Sequence, residues 1–72
     1  MTPAACKRAL APLGLDVAFE RDATTGWEAL AQDKAGGTVA CVYHEGSKSD
    51  AASELMAHPI IKMRLARAGG AL

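Results

Sequence analysis

Aromatic side chains are scarce. Phe19, Trp27 and Tyr43 are the only ones among 72 residues. Bulk is scarce too: half of the chain is hydrophobic by count, but 16 of those residues are alanine. So little apolar volume supports one small domain spanning residues 1–72 and excludes an enzyme with a deep cleft between domains. Two cysteines, Cys6 and Cys41, are too few for a disulfide scaffold. Free thiols in a reducing, cytoplasmic setting are expected, with a Cys6–Cys41 bridge as the alternative. No run of about 18 apolar residues exists, so no membrane span is expected. Lys7 and Arg8 are not followed by the apolar stretch of a secretory signal.

Chemical motifs are missing as well. There is no GxGxxG, no P-loop and no serine nucleophile elbow. His44 and His58 are the only histidines, and neither CxxC nor HxxxH occurs, so no metal site is expected. On a strand Cys41 and His44 would point to opposite faces. Helix packing could bring Cys6 to His58, but the sequence supplies no third group to orient that pair. Glu20 and Asp22 share a strand face, yet so small a body has little depth in which to desolvate them. No catalytic residue and no cofactor is therefore expected.

Net charge is also absent, because eight Lys and Arg balance eight Asp and Glu. The balance hides a division along the chain. All eight acids lie between Asp16 and Glu54, opposed there only by Arg21, Lys34 and Lys48. The two ends carry Lys7, Arg8, Lys62, Arg64 and Arg67 and no acid. Packed side by side, those ends would form one basic surface beside an acidic remainder.

Thr2-Pro3 reads as a helix start, a capping hydroxyl before a proline preset for the first turn. That helix is expected over residues 3–13, stopped by Pro12 and Gly14. Leu15 to Arg21 alternates with period two, which predicts a strand with Leu15, Val17 and Phe19 on the buried face. Asp22-Ala-Thr-Thr-Gly26 has turn composition. Trp27 to Ala35 reads as a strand from its spacing between two glycine turns, and as a helix from propensity and a Thr25–Glu28 capping box. Thr38 to Tyr43 is β-branched and aromatic and apolar on both faces, so both faces are expected to be covered. Gly46 ends it. Ser47 and Asp50 then form a capping box for a helix through Met56, and Pro59 either starts a new helix or kinks the old one.

On a helical wheel Ile61, Leu65 and Ala68 make a narrow strip facing the core. Ile60, Met63, Arg64 and Arg67 make a neighbouring strip at i, i+3, i+4 and i+7, with Lys62 on the same helix. An apolar pair beside an arginine pair suits a helix-in-groove contact. Gly69-Gly70 is expected to close the helix, leaving Ala71-Leu72 loose. Trp27 reads as a core anchor. Tyr43 reads as a strand-end residue whose hydroxyl reaches water.

The expected class is α+β in the order αβββα, a three-stranded antiparallel meander with terminal helices on one face. The alternative is αβαβα, with residues 26–35 helical. The αβββα order resembles double-stranded-RNA-binding domains and HicB-type antitoxins. Gly46-Ser47-Lys48-Ser49-Asp50-Ala51-Ala52 carries the resemblance, standing where those families end the third strand and begin the last helix. In the RNA-binding family successive lysines there grip phosphate; here only Lys48 matches, and Asp50 opposes it. The resemblance implies nucleic-acid binding through Lys48, to which Lys7 and Arg8 could add.

The absent net charge removes most of the counterion-release drive for phosphate binding. The residues therefore favour a non-catalytic protein–protein module that docks on a larger protein or complex through Ile60, Met63, Arg64, Arg67 and Lys62. Its role would be to inhibit or regulate. Small inhibitors encoded by phages and other mobile elements, anti-CRISPR proteins among them, are of this size. Because alanine hides little surface, modest stability is a further expectation, or stability borrowed from a partner through dimerisation or complex formation.

Overall fold

A computed structural model describes residues 1–21 and 26–70. The Thr2 hydroxyl accepts the Ala5 amide at 3.1 Å and opens helix α1, Pro3–Leu10. Lys7 and Arg8 fill its last turn, where the helix dipole favours cations. Pro12 does not end the helix abruptly but tightens it into a 3₁₀ turn over Ala11–Leu13. Gly14, at φ +74°, then reverses the chain, a conformation that costs glycine nothing.

Three strands follow in the order expected: β1 Asp16–Arg21, β2 Trp27–Gln32 and β3 Thr38–His44. They form an antiparallel meander with β2 in the centre. The helical reading of residues 26–35 is overturned. Trp27, Ala29 and Ala31 sit opposite Arg21, Phe19 and Val17 on one side and opposite His44, Val42 and Ala40 on the other. Period-two burial outweighs the helix propensity of alanine here, because it covers Ala29 and Ala31 completely. The expected turn at residues 22–25 lies outside the described residues. The second turn is held by Asp33, whose carboxylate accepts the amides of Ala35 and Gly37 at 3.0 and 2.8 Å. A bulge at Val39 shifts the register between Ala31 and Gln32.

Helix α2, Lys48–Met56, starts at the expected capping box. Ser47 Oγ accepts the Asp50 amide at 3.2 Å, and the Asp50 carboxylate accepts the Ser47 amide at the same distance. The Ser47 amide first, and then the Ser47 hydroxyl, donate to the Asp50 carboxylate and hold it below the usual carboxylate range. Pro59 begins a separate helix, α3 (Pro59–Gly70), which turns away at His58. The His58 Nδ1 accepts the Ile60 amide at 3.1 Å.

The core lies between one face of the sheet and the helices. Cys6 and Leu10 come from α1, Leu15 and Val17 from β1, Ala51, Ala52 and Leu55 from α2, and Ile61 from α3. Covering both faces of β3 does not occur: all helices lie on one side, so Cys41 and Tyr43 stay exposed on the other. Two further sequence expectations are corrected. Ala68 is exposed rather than part of the core strip, because α3 touches the body mainly through its first half. Gly69 and Gly70 are the last described residues of α3, inside the helix rather than just past its end. Nothing packs against Gly69, so the regular hydrogen-bond ladder meets no obstacle there. The expectation for Ala71-Leu72 lies outside the described residues.

Candidate partner-binding groove

The strip read from the wheel forms one surface feature. Ile60, Met63, Arg64 and Arg67, together with Leu13 and Ala68, line an open groove of about 700 Å³. Two elements build it. The 3₁₀ turn after α1 presents Leu13, and Gly14 directly behind it turns the chain into β1. Ile61, fully buried, and Leu65, half-buried, anchor α3 opposite and so aim the 60/63/64/67 strip at Leu13.

The apolar part of the groove is wet. Ile60 is 38 % exposed and Met63 49 %, two of the largest exposed apolar side chains in the fold. Arg64 and Arg67 stand one turn apart among its lining residues, and no carboxylate lines it. A guanidinium is planar, always charged and able to hold a carboxylate through two parallel hydrogen bonds. Methionine adapts to irregular apolar shapes. The chemistry of the groove is therefore complementary to an apolar side chain flanked by carboxylates.

Lys62 does not join this surface. It lies about 200° around the helix from Ile60, since each residue advances the helix by about 100°. It is exposed on another side. Lys7 and Arg8 are exposed on α1, which packs against α2 and β1, while α3 packs against α2, β3 and the 3₁₀ turn. The basic residues at the two ends are thus divided between separate helices. Lys48 has another occupation: its Nζ lies 4.6 Å from the centroid of the Trp27 ring, and the Arg21 guanidinium lies 5.4 Å from it. Trp27 is half-buried beside the core, holding two cations over its π system.

Leu13 and Ala68 were not among the site residues expected from sequence. Leu13 belongs to the groove through a contact between distant chain segments, which no local spacing announces. Ala68 follows Arg64 by four residues and could have been read as its neighbour on the wheel.

The two cysteines lie on opposite sides of the sheet, Cys6 under the helices and Cys41 on the open face, so they form no bridge. Burial raises the Cys6 thiol. Burial first, and then the Glu28 and Glu20 carboxylates, raise Cys41. Thiols held protonated are poor nucleophiles. Cys6 is buried, and the His58 Nδ1 accepts a helix amide. Among the described residues no group of three His, Cys, Asp or Glu is placed to hold a metal ion, and no helix is long and apolar enough to cross a membrane. Compared with known proteins, the chain matches no family model, no curated protein and no solved structure.

Proposed function

We propose that this chain is a non-catalytic docking module that binds an acidic, partly apolar surface of a larger protein and thereby regulates or inhibits it. The observation that supports this reading is the shared position of Ile60, Met63, Arg64 and Arg67, which line one solvent-open groove with Leu13. Apolar surface left wet beside unopposed arginines has no evident use in stabilising this fold. It suits an interface centre with a charged rim. The partner's chemistry follows from the groove: an apolar side chain such as leucine or phenylalanine, with aspartate or glutamate one helical turn away.

The test is affinity capture from the native host, followed by titration of the captured protein. Arg64→Glu combined with Arg67→Glu should weaken binding at least a hundredfold, because both attraction and geometry reverse sign. Circular dichroism and melting temperature should be unchanged, since both side chains are exposed. Undiminished binding by that variant would defeat the reading. Retention instead of salt-sensitive duplex RNA or DNA, lost on substituting Lys7, Arg8 and Lys48, would replace it with the nucleic-acid reading.

A further inference from the structure

Strand β3 is one edge of the sheet, and among the described residues no other strand pairs with its outer row of backbone amides and carbonyls. Natural edges are usually blunted by charge, proline or a short length. The opposite edge follows that rule, because β1 carries Asp16, Glu20 and Arg21. Strand β3 does not follow it. Its seven residues, Thr-Val-Ala-Cys-Val-Tyr-His, include no Asp, Glu, Lys, Arg or Pro. Only the bulge at Val39 interrupts it, near one end. The sequence of β3 is apolar on both faces, yet the fold covers one. Tyr43 is 45 % exposed and Cys41 is exposed on the other.

We infer that β3 pairs antiparallel with β3 of a second copy, joining two meanders into one six-stranded sheet. Three observations select a second copy over a foreign strand. Two identical strands without charged residues oppose no like charges in any antiparallel register, so the edge is complementary to itself. The open-face residues Cys41 and Tyr43 would meet their counterparts across the seam and lose part of their exposure. Five of the eleven buried core residues are alanine, so the single copy encloses little apolar area and gains from association. The surface is separate from the α3 groove, whose lining includes no residue of β3.

The experiment is sedimentation velocity on the full chain, from micromolar to hundreds of micromolar, with the wild type and three variants. The wild type should show a monomer–dimer equilibrium. Cys41→Lys with Tyr43→Lys should weaken self-association at least tenfold, because it puts four lysines at one seam, directly opposed in the registers that bring residues 41 and 43 together. In the monomer both new lysines would lie near Glu28, which sits opposite Tyr43, so the variant should remain folded. Cys41→Ser with Tyr43→Phe keeps the strand uncharged and should dimerise. Arg64→Glu with Arg67→Glu should also dimerise. A wild type that stays monomeric throughout would overturn the proposal, as would a dimer unaffected by the two lysines. A dimer lost only with the arginine reversals would overturn it and place self-association in the α3 groove.

Discussion

Replacing Ile61 by alanine tests how α3 is held. Among the described residues of this helix Ile61 alone is fully buried, and Leu65 is half-buried. A twelve-residue helix has little stability of its own in water. Its docking therefore rests on one side chain to a first approximation. Removing buried isoleucine atoms costs about 2–5 kcal/mol, lost transfer energy plus the cavity left behind. At about 1.4 kcal/mol per decade, that is a roughly 30- to 4,000-fold shift in the opening equilibrium, limited by the helix's own docking energy. The reasoning further requires the loss to be local, because the sheet is covered mainly by α1 and α2. Hydrogen exchange should show the amides of residues 62–68 losing nearly all protection, while those of Ala29, Leu30 and Ala31 keep most of theirs. Binding of a captured partner should fall in parallel, since the groove loses one wall. Equal loss of protection in α3 and β2 would refute local docking and show that α3 unfolds only with the whole domain. No loss anywhere would refute the anchoring role of Ile61.

Other outcomes follow from the same structure. Ser47→Ala should destabilise the fold by about 0.5–2 kcal/mol, read from denaturant midpoints, because it removes the side-chain cap of α2. Asp50 has a lowered folded pKa, so its contribution is fully present above the ordinary carboxylate value of 3.8 and is lost as pH falls through the folded value. Melting curves of the wild type and Asp50→Asn should therefore differ at neutral pH and converge in acid; a constant difference would contradict the assignment. Glu28→Gln should speed alkylation of Cys41 at fixed mildly alkaline pH by lowering its thiol pKa, while Cys6 reacts only on unfolding. Gly69→Ala should stabilise α3 by up to about 1 kcal/mol, because a methyl there meets nothing and alanine favours helix.

Local chemistry made much of this fold legible in the sequence. The alternation of Val17 and Phe19, the β-branched run from Thr38, and the Ser47–Asp50 box each act within a few residues, and each element forms where they place it. The groove was legible for a similar reason: on a helix, spacing alone puts residues 60, 63, 64 and 67 together. What escaped depends on contacts between distant segments. The uncovered face of β3 depends on how many helices exist and on which side they pack. The wall supplied by Leu13 depends on where α3 comes to rest.

The central claim is that this protein acts through the α3 groove. Amide chemical-shift mapping of the labelled chain against its captured partner tests that claim most directly. The strongest perturbations should fall on Leu13, Ile60, Met63, Arg64, Arg67 and Ala68, with those residues silent in the Arg64→Glu/Arg67→Glu variant. Perturbations centred on Glu20, Glu28 and Leu30, with α3 unmoved, would contradict the account.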